Sequence, residues 1–181
     1  MKKAFVALGA NLGNPVEMLH AALDDMRALP GVEVLRVSRF YRTSPVDSSG
    51  PDYVNAVASV TFEGTPEAFL HELQAIEERR GRVRPAGVHN APRTLDLDLL
   101  EVEGEVRSTA FLTLPHPRMT ERLFVLVPLR DVAPDWRAPN GERAAELIEA
   151  VRRADATQKI EPLEATEASE AVDSDDPRDE R

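Results

Sequence analysis

RTLDLDLL, residues 93–100, is the stretch on which the fold of this chain depends. Leucine alternates along it with threonine or aspartate, which is the period-two pattern of a β-strand with one buried and one polar face. This alternation places the carboxylates of Asp96 and Asp98 on one side of the strand, about 7 Å apart. Like charges so placed repel each other, and a hard divalent cation prefers oxygen ligands of this kind. The pattern therefore predicts a metal-binding strand face, with an ordinary solvent-exposed face as the alternative.

Arginines surround this strand on its N-terminal side: Arg93 opens it, and Arg82 and Arg84 lie upstream. Planar guanidinium groups match phosphate oxygens, so the three side chains predict a phosphate-binding site. Residues 85–92 are predicted to form a flexible loop between the upstream arginines and the aspartate strand, where it could close over bound phosphates. The alternative is solvated arginine near the C-terminus of a helix, where cations are mildly favourable.

Further upstream, residues 53–62 have strand character and begin with Tyr53 and Asn55 on one face. A ring beside an amide suits a planar polar heterocycle, because the ring stacks on it and the amide bonds its edge. The alternative is a strand that merely enters the sheet with polar ends. The segment before it, residues 42–52, is rich in turn formers, and loops of this length inside small domains often serve function.

Apolar periodicity elsewhere predicts a chain of mixed helices and strands. Strands are expected at residues 3–8 and 32–41. Helices are expected to begin at Asn14-Pro15 and at Thr65-Pro66, because a polar N-cap followed by proline is a favoured helix start. A last helix is expected at about residues 142–153.

The composition limits the classes of protein to be considered. At 181 residues the chain fits one domain, and the absence of cysteine excludes disulfides, thiolate zinc sites and a cysteine nucleophile. No apolar run approaches the roughly 20 residues that span a membrane, and no export signal is evident. We therefore predict a cytoplasmic protein without a membrane partner.

The net charge of −10 is concentrated at the C-terminal end, where residues 161–181 carry nine acidic and two basic side chains. That segment has almost no large apolar residues to offset its ordering entropy. We therefore predict a domain at residues 1–160 and a disordered acidic tail at 161–181, with a specific interaction tail as the alternative. The nearly neutral body with local arginines favours a compact anionic ligand over nucleic acid.

Several separated motifs, taken in order and spacing, closely resemble 6-hydroxymethyl-7,8-dihydropterin pyrophosphokinase, an enzyme family of folate biosynthesis. The resemblance covers about residues 3–155, and its most specific part is residues 92–98 with the upstream Gly-Arg-x-Arg. The motifs are GANLG at 9–13, FYRTSP at 40–45, PDYVNA at 51–56, IE at 76–77, GRVR at 81–84, PRTLDLD at 92–98, LPHPRM at 114–119 and RLF at 122–124.

The resemblance implies an α+β fold: a ferredoxin-like α/β sandwich with a mainly antiparallel sheet and helices packed on it. It implies that residues 1–160 form a pterin pyrophosphokinase domain, which transfers pyrophosphate from ATP to 6-hydroxymethyl-7,8-dihydropterin and releases AMP. Two Mg²⁺ ions, no nucleic acid and a monomeric state are expected with it.

The same resemblance implies a role for each matching residue. The catalytic set is Arg82, Arg93, Asp96 and Asp98, of which the two aspartates are also the metal ligands. The ATP-binding set is Gln74, Glu77, Arg84, Leu99, Thr113, His116 and Arg122. The pterin-binding set is Thr43, Pro45, Val46, Tyr53, Asn55 and Phe124, with the ring of the pterin lying between Tyr53 and Phe124.

Two positions depart from the family pattern, and both bear on the nucleotide. His89-Asn90 stands where relatives often have an aromatic residue, and Pro117 stands where a tyrosine frequently follows the motif histidine. The sequence also leaves two other classes of function open. One is a metal-dependent phosphohydrolase or nucleotidyl transferase that uses the same aspartates. The other is an RNA-binding module, which the low aromatic content of 5% disfavours.

Overall fold

The computed structural model describes residues 1–44, 50–80 and 95–163. Within them, four helices and eight strands follow one another in a mixed α+β order. The elements are β1 (Lys2–Ala10), α1 (Pro15–Arg27), β2 (Val32–Val37), β3 (Tyr41–Thr43), β4 (Tyr53–Phe62), α2 (Pro66–Arg80), β5 (Asp96–Val102), β6 (Arg107–Ser108), β7 (Thr113–Leu114), α3 (Leu123–Val132), α4 (Ala144–Ala154) and β8 (Ile160–Pro162).

Six of these strands form one sheet in which every pairing is antiparallel. Its order is β5-β1-β4-β3-β8, and β2 pairs with the far end of β4. The register sets Gly9 of β1 between Asn55 of β4 and Asp96 of β5. Directly paired residues share a face, so an amide and a carboxylate flank a glycine on one side of the sheet.

Helices cover both faces of the sheet and enclose two hydrophobic cores. Helices α1 and α2 pack on one face, where alternate β1 residues such as Val6 and Leu8 are buried. Helices α3 and α4 pack on the other face with Ala7 and Val57. The predicted α+β sandwich with a mainly antiparallel sheet is therefore confirmed.

The first two helices begin where the sequence predicts. The side chain of Asn14 accepts a hydrogen bond from the Glu17 N–H at 3.2 Å, with Pro15 as the first helical residue. Likewise, the Thr65 hydroxyl accepts from the Ala68 N–H at 3.1 Å. Both caps satisfy donors that the first turn of a helix leaves unpaired.

The single strand predicted at residues 32–41 is wrong, because the chain leaves the sheet at Ser38. There the Ser38 hydroxyl accepts from the Val57 N–H at 2.9 Å, in place of a backbone carbonyl. One residue on, the Arg39 N–H donates to the Asp131 carboxylate of α3. The result is two strands, β2 and β3, and Thr43 belongs to β3 rather than to the predicted loop.

The fold also continues past the domain boundary predicted at residue 160. Strand β8 pairs with β3, and the Leu163 N–H donates to the Phe40 carbonyl at 3.0 Å. The Leu163 side chain is only 6% exposed. The start of the predicted acidic tail is thus part of the sheet, and residues 164–181 lie outside the described residues.

None of the helices in the described part of the chain has the length and apolar character that crossing a bilayer requires.

Candidate active site

Two pockets meet at Asp98, which lines both. The first has a cavity volume of about 280 Å³ and opens on the α3 side of the sheet. The second, of about 360 Å³, lies along α2 and the outer side of β5. The first pocket is lined by Ala7, Leu8, Gly9, Thr43, Ser44, Tyr53, Asn55, Asp96, Asp98, Arg118, Arg122 and Phe124. The second is lined by Leu70, Gln74, Glu77, Leu97, Asp98, Leu99, Ala110, Phe111, Leu112, Thr113, His116 and Pro117.

The floor of the first pocket is built around the amide of Asn55, which is 7% exposed. The Thr43 hydroxyl donates a hydrogen bond to the Asn55 Oδ1 at 2.5 Å. A Cβ atom on Gly9 would lie 2.8 Å from the Asn55 Nδ2, so only glycine leaves space for the amide nitrogen there. With its oxygen engaged by Thr43, the amide presents its N–H₂ group to the pocket as a donor.

Two aromatic rings line the same pocket from different elements. Tyr53 comes from the start of β4, and Phe124 comes from the first turn of α3. The Arg122 guanidinium carbon lies 5.3 Å from the centre of the Phe124 ring, within the range of a cation–π contact. The pocket therefore combines ring surfaces, an amide donor and a positive charge at its helix side.

Asp96 and Asp98 lie on the polar face of β5, as the alternation in the sequence predicts. Both are partly exposed, whereas Leu97 and Leu99 between and beyond them are 2% and 3% exposed. Glu77 of α2 holds the outer edge of this strand, since its Oε2 accepts a hydrogen bond from the Leu97 N–H at 3.0 Å. The two carboxylates are thereby presented from a strand held on both sides.

The donor set of the site fits magnesium. Among the described residues, no group of three or more histidine, cysteine, aspartate or glutamate side chains is arranged to hold a metal ion. Mg²⁺ typically uses one or two carboxylates and completes its coordination with waters and substrate phosphates. Asp96 and Asp98, both facing the first pocket, provide that pair.

His116 lines the second pocket and interacts electrostatically with Asp98, which lines both pockets. Partial burial lowers the pKa of its imidazole below the usual value of 6.5, opposed by the charge of Asp98 and reinforced by Arg122 and Arg118. The Arg118 N–H donates to the His116 Nδ1 at 3.2 Å. The neutral ring therefore carries its proton on Nε2, where it is available as a hydrogen-bond donor.

The structure sorts the described site residues into two groups. Thr43, Tyr53, Asn55 and Phe124, all expected to bind the pterin, line the first pocket. Most residues expected to bind the nucleotide line the second: Gln74, Glu77, Leu99, Thr113 and His116. Arg122 differs, because it lines the first pocket. Arg82, Arg84, Arg93, Pro45 and Val46, as well as His89-Asn90, lie outside the described residues.

Several lining residues, among them Gly9, Arg118 and Phe111, are not among those expected from the sequence. The GANLG motif was expected to be a turn with only a weak ligand signal, whereas the structure places Gly9 in β1 beside its distant partner Asn55. Arg118 lies in the LPHPRM motif, which gave the only available hint. Phe111 is 41% exposed and stacks on His71, with ring centres 4.6 Å apart. An exposed ring carries no periodic pattern, so no signal pointed to it.

Comparison with known proteins was made on sequence and on structure. The family model described as 7,8-dihydro-6-hydroxymethylpterin-pyrophosphokinase (HPPK) matches residues 5–134. A 2-amino-4-hydroxy-6-hydroxymethyldihydropteridine pyrophosphokinase from Haemophilus influenzae is 43% identical over 150 residues, covering 82% of this chain and 92% of the relative. One of the same name from Pseudomonas aeruginosa is 41% identical over 151 residues, covering 83% and 92%.

Solved structures show the same fold at low sequence identity. An HPPK-DHPS crystallised in complex with substrates has a TM-score of 0.66 and 12% identity, over 85% of this chain and 46% of that chain. HPPK-DHPS of Plasmodium falciparum with SDX-DHP has a TM-score of 0.63 and 16% identity, over 83% and 43%. This chain thus spans less than half of those proteins. The likeness agrees with the expected ferredoxin-like fold. Because the family model matches residues 5–134 and the sequence relatives are more than 40% identical, this chain belongs to the 7,8-dihydro-6-hydroxymethylpterin-pyrophosphokinase family.

Proposed function

We propose that this chain transfers the pyrophosphoryl group of ATP to the hydroxymethyl group of 6-hydroxymethyl-7,8-dihydropterin, the pyrophosphokinase step of folate biosynthesis. The observation that carries the proposal is the pair of pockets sharing Asp98. A transferase that joins two substrates needs two adjoining sites with its charge-handling groups between them. The first pocket is assigned to the pterin and the second to the nucleotide.

The first pocket offers the contacts that a flat, polar double ring requires. Tyr53 and Phe124 supply ring surfaces for stacking, and Asn55 supplies an amide held in one orientation by Thr43. An amide so fixed distinguishes hydrogen-bonding edges, because a mismatched edge leaves buried polar groups unpaired. The expected contacts from Pro45 and Val46 belong to the same proposal.

The second pocket is assigned to the adenosine part of ATP. Leu99 and Leu70 give it an apolar base, and Gln74 and Thr113 add polar groups at its sides. Glu77 contributes mainly through β5, because one of its carboxylate oxygens is engaged by the Leu97 N–H. The phosphates of a nucleotide bound here extend toward Asp98 and the first pocket.

The residues at the junction are those that act on the transferred group. Asp96 and Asp98 would hold two Mg²⁺ ions, which when bound neutralise phosphate charge and favour ionisation of the attacking hydroxyl. Arg122 supplies positive charge from the first pocket, and neutral His116 supplies an Nε2–H donor. Arg82, Arg84 and Arg93 are proposed to complete this phosphate-binding set.

Transfer of an intact pyrophosphoryl group fixes which bonds change. The pterin hydroxyl oxygen forms a bond to the β-phosphorus of ATP, and the bond from that phosphorus to the bridging α,β-oxygen breaks. The bridging oxygen leaves with AMP, and the hydroxyl proton is released. Because little covalent chemistry falls to the protein, its residues act by alignment and by stabilising charge.

An assay for AMP with ATP, Mg²⁺ and 6-hydroxymethyl-7,8-dihydropterin tests this function directly. The expected result is AMP release that requires the pterin, together with pterin diphosphate as the second product. Release of AMP or phosphate without the pterin would instead indicate the hydrolase alternative. Omission of Mg²⁺ is expected to abolish turnover, which tests the metal assignment separately.

We also propose that the chain acts as a cytoplasmic monomer. The monomeric state is the one that the family resemblance implies. Size-exclusion chromatography with light scattering is expected to give the mass of one chain. Activity in the cytosolic fraction of the source cells tests the location.

A further inference from the structure

The last described segment of the chain, residues 155–163, contacts two opposite walls of the first pocket. One wall, here called the strand wall, consists of Thr43 and Ser44 at the end of β3. The other, the helix wall, consists of Arg122 and Phe124 at the start of α3. The elements that carry the two walls are far apart in sequence, so the distance between the walls depends on contacts that join those elements.

Gln158 holds the helix wall. The Leu123 N–H is the first of α3, and the N-cap residue Arg122 provides no side-chain hydrogen bond to it. Instead the Gln158 Oε1 accepts from the Leu123 N–H at 2.9 Å, and the Gln158 Nε2 donates to the Glu121 carbonyl at 3.0 Å. A residue from another segment thus supplies the cap that α3 lacks locally.

The residues next to Gln158 hold the strand wall. The Ser44 N–H donates to the Lys159 carbonyl at 3.3 Å. Ile160 then pairs with Thr43 in the β3–β8 ladder. Adjacent residues of one segment therefore bind both walls, one through a side chain and the others through the backbone.

We propose that Gln158 is a positioning residue for the pterin, setting the helix wall of the first pocket relative to its strand wall. The proposal rests on the assignment of the pterin to that pocket. Arg122 and Phe124 flank Leu123, the residue whose N–H Gln158 binds. Loss of this cap frees the first turn of α3, so that the Phe124 ring is no longer held in place against the first pocket.

The expected defect is specific to one substrate. The second pocket is lined from α2, from β5 and from residues 110–117, whereas the hydrogen bonds of Gln158 go to residues 121 and 123 and to Asp155. A loosened helix wall therefore weakens pterin binding and, because Arg122 belongs to that wall, also lowers kcat, while the adenosine contacts stay in place. General destabilisation would instead affect both substrates alike.

The test compares Gln158→Leu with Asn140→Leu. Asn140 also uses a side-chain amide to bond a loop before a helix, since its Oδ1 accepts from the Glu142 N–H, and it lines neither pocket. For each variant, KM for the pterin, KM for ATP and kcat are measured with the pterin-dependent AMP assay, and thermal unfolding is recorded. For Gln158→Leu we expect the pterin KM to rise roughly tenfold while the ATP KM stays within about twofold.

The control is expected to leave both KM values unchanged. Equal rises in both KM values for Gln158→Leu, or no rise at all, would overturn the positioning role. The same pterin-specific rise in Asn140→Leu would overturn it too, because the effect would not depend on Gln158. Wild-type protein is measured alongside the variants. If the wild type shows no pterin-dependent AMP release, the result counts against the proposed function of the chain and not against the positioning role of Gln158.

Discussion

The two pockets differ in how their functional groups are held in place. In the first, the key amide is buried, oriented by a threonine hydroxyl and given space by a glycine. In the second, Thr113 and Phe111 are exposed. On the proposed assignment of the pockets, selectivity for the pterin is built into the sheet, whereas the nucleotide is bound nearer the surface.

The largest expected effect comes from the residue that belongs to both pockets. Replacement Asp98→Asn keeps the shape of the side chain but removes its charge, so metal-assisted alignment of the phosphates is lost. We expect kcat to fall by about 10³-fold or more, with thermal unfolding unchanged. Steady-state AMP release and circular dichroism measure the two quantities. Normal Mg²⁺-dependent turnover in this variant would remove the metal assignment.

A smaller effect, confined to the first pocket, is expected from Gly9→Ala. The added methyl group would lie 2.8 Å from the Asn55 Nδ2 and so displaces the amide. We expect the pterin KM to rise roughly tenfold, equivalent to about 1.4 kcal/mol, with little change in the ATP KM. The matched control is Gly50→Ala, because no atom of the described residues lies within 4 Å of a Cβ there. A larger change in the ATP KM than in the pterin KM would contradict the assignment of the pockets.

Truncated chains test whether β8, which pairs with the strand that ends at the first pocket, stabilises the fold. A chain ending at Ile160 loses most of β8 and the buried side chain of Leu163. Burial of one leucine contributes about 1.5–3 kcal/mol, so Tm is expected to fall by roughly 5 °C. A chain ending at Leu163 is expected to melt like the full-length protein. If both truncations melt alike, β8 contributes nothing to the fold.

The smallest expected effect is a pH dependence from His116. Burial lowers its pKa below 6.5, so the unfolded chain takes up a proton before the folded chain does. The contribution of His116 to the free energy of unfolding is therefore at its full value above pH 6.5, and it is lost as the pH falls toward the folded-state pKa. In urea unfolding between pH 7 and pH 5, His116→Gln is expected to lose less free energy of unfolding than the wild type does. An identical slope in both proteins would argue against the lowered pKa.

Local patterns predicted much of the fold. The strand at residues 53–62 and the starts of α1 and α2 follow from alternation and from capping residues, which act over a few positions. The break at Ser38 was missed because a hydroxyl there replaces a backbone acceptor for Val57, a residue distant in sequence. Strand β8 was missed because two apolar residues among charged ones form no pattern until β3 is beside them.

The candidate site shows the same division. The shared face of Asp96 and Asp98 follows from period-two alternation within one strand, and the structure has it. The fit of Gly9 against Asn55 requires the register of two strands, which no local pattern contains. Capping of α3 by Gln158 likewise joins segments that only the folded chain brings together.

Strand β5 lies at the edge of the sheet, where unpaired backbone groups can recruit a strand from another molecule. Two of its outward groups are already occupied. The Leu97 N–H is bound by the Glu77 carboxylate, and the Leu100 carbonyl accepts from the His116 N–H at 2.7 Å. Glu77 and His116 both line the second pocket. The contacts of the proposed nucleotide site therefore also cover part of an exposed sheet edge, and we expect variants of Glu77 to lose solubility as well as activity.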